Sequence, residues 1–359
     1  MTPVRVMQLV DALRSGGAER MAVNIANHLP QDQFESYLAT TVSTGLYQPL
    51  IMPHVKQFHY SGKLFLDPRM LLWLVNLIKR ERISLLHVHG IGLFMAVQAA
   101  ALLPHLTVVW HDHYGRQATR QRPVWAYSLA TRRIDGIISV SQPLRDWAVK
   151  TIAFPADRVT YLSNFIFPGN HIPIDEQSLP GERSYRIACI ANFRPQKDHQ
   201  TLLSAMRIVV NQYPQAQLNL VGEIRDESYA QSVREAISRL GLETHVSILG
   251  TRPDVPEILA ASDIGVLSST SEGLPLALIE YGMAGLGVVC TRVGECPRVL
   301  RDGQLGLLVP PSDPQALAAA LLDLLNHPEK RSQLGNDLAE NVRREYSPDE
   351  RISQLVDFY

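Results

Sequence analysis

The chain has 359 residues, 46% of them hydrophobic and 19% charged, with a formal net charge of −1. That is an ordinary globular balance, and the length suits two domains of roughly 150 to 200 residues, each with its own core. No apolar run reaches the roughly 18 to 20 residues that span a bilayer, and MTPVRVMQLV runs straight into a strand pattern without a signal peptide, so a soluble cytoplasmic protein is expected.

Cys189, Cys290 and Cys296 are odd in number, and two of them fall in apolar, strand-like runs. Reduced core thiols are therefore expected rather than disulfides or a zinc site. The small net charge conceals a split. Residues 1–164 hold 17 Lys and Arg against 10 Asp and Glu, leaving 17 against 25 in the remainder. A basic first half beside an acidic second half points to different partners for the two domains.

In the first half, VRVMQLV, SYLATTV, SLLHVHG, TVVWH, GIISV and VTYLS read as strands, with helical spacing at 17–29, 69–82, 91–103 and 142–151. Near-continuous apolar strands alternating with helices argue for buried parallel sheets built from βαβ units. The first strand ends in LVDALRSGGAER, where Gly16 and Gly17 permit a tight turn and close backbone approach to a ligand just before a helix. A Gly-x-Gly-x-x-Gly fingerprint is missing, so a nicotinamide site is unsupported. His87, His89, His111 and His113 gather at strand ends, yet without a Cys or carboxylate cluster to complete a metal site. Arg116, Arg120, Arg122, Arg132 and Arg133 surround PVWAYSLA, either as the solvated rim of a packing helix or as a surface for anionic lipid headgroups or a pyrophosphate-linked acceptor. A near-neutral isoelectric point and the lack of a groove-reading motif disfavour nucleic acid.

The polar stretch 168–184 reads as a linker. Beyond it, RIACIA, QLNLVG, VSILG, IGVLS and LGVVC repeat the strand–helix scheme. RIACIA opens into NFRPQKDHQTLL, which sets Arg194 and Lys197 three residues apart before a helix. Cations disfavour a helix N-terminus, so two of them there make sense around an anion such as a phosphate. Gly222 and Glu223 follow the next strand. Thr251 and Arg252 follow the one after. SEGLPLALIE then places Glu272 in a loop and Glu280 inside the helix that Pro275 opens, with Gly273, Leu274 and Leu276 between them. A helix N-terminus suits a phosphate, and flanking carboxylates suit sugar or ribose hydroxyls. The segment 348–359 reads as a last helix.

These motifs, above all ILAASDIGVLSSTSEGLPLALIEYGMAG and VVCTRVGECPRVLRDGQLGLLVPPSDPQALAAAL, resemble the donor-binding core of family 4 of the nucleotide-sugar glycosyltransferases. Tyr281 and Gly287 depart from that family's usual small residue and proline, and Arg298 stands where an acidic residue is common. The resemblance implies the GT-B architecture: two doubly wound Rossmann-like domains facing each other across a cleft, over 1–167 and 185–347. It also implies that the last helix packs back on the first domain. It implies retention of configuration and a UDP- or GDP-linked donor, with no cofactor. The chain has no Asp-x-Asp pair for a divalent ion, so a metal-independent hexosyltransferase is expected, with Arg194 and Lys197 binding the diphosphate.

By the same resemblance, Gly16, Gly17 and Gly222 lie near the donor, and Thr251 and Arg252 hold its base. Glu272 meets the sugar and Glu280 the ribose. His111 sits near the transfer centre, with His113, Asp112 and Arg116 toward the acceptor. That acceptor is expected to be a saccharide or lipid-linked saccharide in surface polysaccharide assembly, with peripheral contact to an anionic membrane. A nucleotide-sugar epimerase of the same architecture and a catalytically silent binding subunit are the alternatives.

Overall fold

A computed structural model describes residues 3–14, 16–60, 68–113, 122–167, 179–224 and 226–359. The chain divides into two compact units, one formed by Met1–Phe165 with Pro348–Tyr359 and the other by Ile166–Ser347.

In the first unit, β1 (Val4–Ala12), β2 (Phe34–Ser43), β3 (Lys56–His59), β4 (Leu85–His89), β5 (Thr107–Asp112), β6 (Gly136–Ser139) and β7 (Val159–Tyr161) form one sheet in the order β3-β2-β1-β4-β5-β6-β7. Every neighbouring pair is parallel. Parallel strands need helical crossovers that cover both faces, which is why β4 is buried at every position. β3 has no apolar run and lies at an edge, largely exposed.

The helix Pro348–Phe358 is part of this unit. Gln354 Nε2 donates to Tyr161 O at 2.8 Å, and Phe358 fills the space beside Gly136, where a Cβ would lie 2.8 Å from its ring. Tyr359 meets Phe34 edge to face at 5.9 Å.

In the second unit, β8 (Arg186–Ile190), β9 (Gln217–Val221), β10 (Val246–Gly250), β11 (Ile264–Leu267), β12 (Gly287–Thr291) and β13 (Leu307–Val309) take the order β10-β9-β8-β11-β12-β13. The chain runs outward from β8 through β9 and β10, then returns to the other side of β8 with β11. This reversal leaves a topological switch point at the carboxyl ends of β8 and β11, where open α/β sheets form their ligand crevices.

The two strands share a short register, Ile187 with Ile264 and Ala188 with Gly265, and then separate. Tyr281 fills the opening. Its hydroxyl donates to Val266 O at 3.0 Å and accepts from Ile190 N at 2.8 Å, replacing the backbone bonds that the diverging strands no longer share. Its ring lies where a Cβ on residue 265 would meet it at 2.5 Å, so Gly265 is the residue that admits Tyr281. Gly287 similarly admits the stem of Arg331, 2.6 Å from where a Cβ would sit. The sequence departures at Tyr281 and Gly287 are therefore packing solutions.

All three cysteines are free and buried, with Cys189 on β8, Cys290 on β12 and Cys296 just beyond it. Among the described residues no helix is long and apolar enough to cross a membrane. Of the expected linker, residues 168–178 lie outside the described residues.

Candidate functional site

The loops leaving β8 and β11 meet at the switch point of the second unit. Pro195–Lys197 forms a single 3-10 turn, and Asp198 then adopts a left-handed φ of 49° so that the chain can reverse into the helix His199–Gln212. An aspartate tolerates this because its short side chain bonds locally. Here it accepts from Thr201 N at 3.2 Å and Thr201 Oγ1 at 2.8 Å.

The turn is tied to the β11 loop by Thr270 N donating to Gln196 O at 2.8 Å and by Ser268 Oγ donating to Lys197 O at 2.8 Å. These bonds carry Lys197 to Glu272. The ammonium lies 2.5 Å from Glu272 Oε1, which also accepts from Ser269 Oγ at 2.5 Å.

Neither Arg194 nor Lys197 stands exposed. Both are half-buried, and the counter-charge that Lys197 calls for is supplied by Glu272 within the protein.

The β11 loop ends at Pro275, which caps the helix Leu276–Met283 as the residue before it rather than the first within it. Gly273, Leu274, Pro275 and Leu276 thus lie at the helix entrance, with Glu280 half-buried one turn in. The backbone of Glu272 and Gly273 is pressed by Gly294, where a Cβ would lie 2.2 Å from Glu272 O. Gly294 has φ 53°, so both its space and its backbone angle call for glycine.

Gly222 does make a close backbone approach, but to Ala191 O, 2.1 Å from where its Cβ would be. Asn192 Oδ1 accepts from Glu223 N at 2.9 Å, which joins the loops after β8 and β9. Thr251 is exposed after β10, and Arg252 is engaged with Asp254 at 2.5 Å. The hydrogen bonds that Arg252 donates to Asp254 raise the Arg252 pKa further and lower that of Asp254.

The first unit has the corresponding switch point between β1 and β4. Gly16 caps the helix Gly17–His28 with an extended backbone, and its missing Cβ leaves room for the Glu19 carboxylate, 2.2 Å from that position. At the ends of β4 and β5 the four histidines converge, as their gathering at strand ends led one to expect. His89 and His111 are register partners, and His87 precedes His89 on the same face of β4.

The rings form two stacked, hydrogen-bonded pairs. His87 Nε2 lies 3.1 Å from His111 Nδ1, and His89 Nδ1 lies 2.9 Å from His113 Nε2. Burial holds all four neutral, lowering His87 and His113 to about 3 and His89 and His111 well below their usual value.

His87, His89 and His111 offer nitrogens within 4.8 Å of one another, a spacing that could suit a metal. However, the His87 and His89 rings are parallel within 5° at 4.6 Å. A ligand lone pair lies in its ring plane, so an ion in the plane of one ring sits out of the plane of the other. The hydrogen-bonded arrangement describes these residues better.

Asp112 and Arg122 are corrected together. Asp112 is buried and held by Arg122, and Arg122 is not part of a solvated rim. Arg122 is 8% exposed and grips Asp112 through two bonds of 2.7 Å, with Trp110, Tyr127 and Trp147 around its guanidinium. Residues 114–121, including Arg116 and Arg120, lie outside the described residues. The outer face of the helix Val124–Ala130 carries Trp125 and Leu129, 73% and 58% exposed, followed by exposed Arg132 and Arg133.

Two family models match the chain. The model described as Glycosyltransferase Family 4 covers residues 15–168, and that described as Glycosyl transferases group 1 covers 172–340. An N-acetyl-alpha-D-glucosaminyl L-malate synthase of Bacillus anthracis is 31% identical over 47% of this chain and 44% of its own length. The chain thus matches under half the length of this relative. An Escherichia coli UDP-Gal:alpha-D-GlcNAc-diphosphoundecaprenol alpha-1,3-galactosyltransferase is 22% identical over 96% of this chain and 93% of its own. Among solved structures, Anabaena HepE in complex with UDP and glucose superposes with a TM-score of 0.82 at 18% identity, covering 99% of this chain and 98% of that one. With the two models matched in tandem along nearly its whole length and a fold shared with solved GT-B structures, the chain belongs to the family 4, group 1 glycosyltransferases.

Proposed function

We propose that this protein transfers a sugar, with retention of configuration and without a metal, from a nucleoside diphosphate donor to the hydroxyl of a saccharide or lipid-linked saccharide. The observation that carries the reading is the meeting of Lys197 with Glu272 at the switch point of the second unit, beside Arg194 and the entrance of the helix Leu276–Met283. A donor diphosphate placed there takes charge-assisted bonds from Arg194 and Lys197 and backbone N–H groups from the helix entrance. These groups stabilise the negative charge that develops on the leaving phosphate. Glu272, already desolvated and ordered by Ser269, accepts hydroxyl protons of the transferred sugar, and Glu280 those of the ribose. Thr251 and Arg252 flank the base. By the family resemblance, Gly16 and Gly17 serve the donor phosphates and His111 the sugar.

UDP is the first base to test, because the E. coli relative is a UDP-galactose enzyme and the Anabaena structure holds UDP. In a thermal-shift panel of nucleoside diphosphates and nucleotide sugars, a true donor at about 100 times its Kd adds about 2.7 kcal/mol of stability. No shift with any member of the panel counts against the donor site. Turnover in the presence of a chelator tests metal independence. Product analysis separates transfer, which releases nucleoside diphosphate as acceptor is consumed, from epimerisation, which yields a new nucleotide sugar. Trp125 and Leu129 beside Arg132 and Arg133 fit an anionic bilayer surface. Co-sedimentation that rises with anionic lipid and falls with salt supports that contact, and binding insensitive to lipid charge opposes it.

A further inference from the structure

Two residues that no motif singles out, Gln8 and Tyr359, close the outer ends of the paired imidazoles. Gln8 lies on β1 opposite His87, and its amide reaches in two directions. Its Oε1 lies 2.9 Å from His89 Nε2, and its Nε2 lies 3.4 Å from the Tyr359 hydroxyl, which also bonds His87 Nδ1.

An amide oxygen only accepts and an amide nitrogen only donates, so these contacts fix the direction of every bond that follows. His89 must donate from Nε2 to Gln8 Oε1, which leaves its Nδ1 to accept from His113 Nε2. Tyr359 accepts from Gln8 Nε2 and so directs its own proton to His87 Nδ1. His87 then donates from Nε2 to His111 Nδ1. The chain ends at His111 Nε2, which must carry a proton and has no partner among the described residues although it is buried. A buried donor left without an acceptor is costly, and a donor kept in that state is available to a ligand oxygen.

From this geometry we infer that Gln8 and Tyr359 are positioning residues, which hold all four neutral imidazoles in the Nε2–H form so that His111 presents a fixed donor to an oxygen of the sugar substrate. The inference rests on the glycosyl-transfer reading for its last step only. The tautomers themselves do not depend on it. One amide orientation sets all four, because a reversed Gln8 side chain would invert every bond and put each proton on Nδ1. His111 would then offer a lone pair where a hydroxyl oxygen needs a donor.

The test is long-range proton–nitrogen correlation on the full chain labelled with 15N-histidine, the four rings being assigned by single His→Gln variants. Wild type is expected to show His87, His89, His111 and His113 all in the Nε2–H form. Gln8→Glu leaves only acceptors at that site. It should keep His89 and His113 unchanged while drawing the Tyr359 proton to the new carboxylate, which reverses His87 and His111 to Nδ1–H. Tyr359→Phe keeps the ring against Phe34 and removes the hydroxyl, providing a milder variant should Gln8→Glu fail to fold. It should release His87 and His111 into a mixture of tautomers.

In Gln8→Glu kcat should fall about 10-fold or more, approaching the roughly 10²-fold typical of losing one preorganised donor, and in Tyr359→Phe by the smaller factor set by the fraction of His111 that leaves the Nε2–H form. UDP affinity, which belongs to the second unit, should be unchanged. Nδ1–H signals in wild type overturn the tautomer assignment, and unchanged kcat with His111 visibly switched overturns the positioning role. Absence of transfer in wild type with any nucleotide sugar would instead sink the glycosyl-transfer reading, with the tautomer result still standing on its own.

Discussion

The two units share one architecture and fill its switch point with opposite chemistry. In the first, neutral imidazoles are buried at the ends of β4 and β5, and the nearby ion pair, Asp112 with Arg122, is sealed beneath three aromatic rings. In the second, Lys197 and Glu272 meet as a partly buried pair, 20% and 10% exposed, on loops tied together by backbone bonds. The contrast separates two uses of polar groups at the same place in a fold. A sealed network fixes directions, whereas a partly buried ion pair can take up a charged ligand at little further desolvation cost.

Acid should break the comparison most strongly. The four clustered histidines of the first unit have lowered folded-state pKa values, so the unfolded chain binds more protons than the folded one. Their stability is fully present above the unfolded value near 6.5 and is lost as pH falls from there toward about 3. An imidazole such as His87 forfeits about 2 kcal/mol between pH 7 and pH 5. Among the described residues of the second unit one histidine is of this kind, His199, lowered to about 4 by burial. Trp73, Trp110, Trp125 and Trp147 all lie in the first unit, so their fluorescence reports it alone. That signal should be lost at a higher pH than exchange protection in β8 to β13. Simultaneous loss would mean that the imidazoles are not the acid-sensitive element.

The ion pairs sharpen the same contrast. Arg122→Ala leaves Asp112 charged and buried and should cost about 3–5 kcal/mol by denaturant titration. Lys197→Ala should cost less, about 1–2 kcal/mol, because Glu272 can still reach water and Ser269. Equal costs would place Lys197 and Glu272 among the structural pairs.

The glutamates probe the second unit at finer grain. Glu272→Gln should lower kcat about 10- to 100-fold while sparing affinity for the diphosphate, which lacks the sugar. Glu280→Gln should mainly raise donor KM, since the ribose changes little in the transition state. Steady-state kinetics beside diphosphate binding decides between the roles, and a reversed pattern would exchange them.

Much of the fold was legible because buried parallel strands are apolar runs, as in RIACI and GVVCT. β3 escaped because an exposed edge strand has no such run. Lys197 and Glu272 were each visible as charges beside helix starts, but no local pattern announces a contact across 75 positions. Arg122 reads like its neighbouring arginines in sequence, and only the tertiary placement of Asp112 and three rings makes it a core residue. Gln8 was invisible for the opposite reason, since one polar residue in a buried strand looks like an interruption. Tyr359 is 272 positions from the histidine it bonds.

The central claim is that the charges at the second unit's switch point hold a nucleoside diphosphate. Calorimetric titration of UDP into wild type, Arg194→Ala and Lys197→Ala tests it most directly. Each lost charge-assisted contact is worth roughly 1.5–3 kcal/mol, so Kd should rise about 10- to 150-fold in either variant, with the fold intact by circular dichroism. UDP binding equally well to all three proteins would contradict the account.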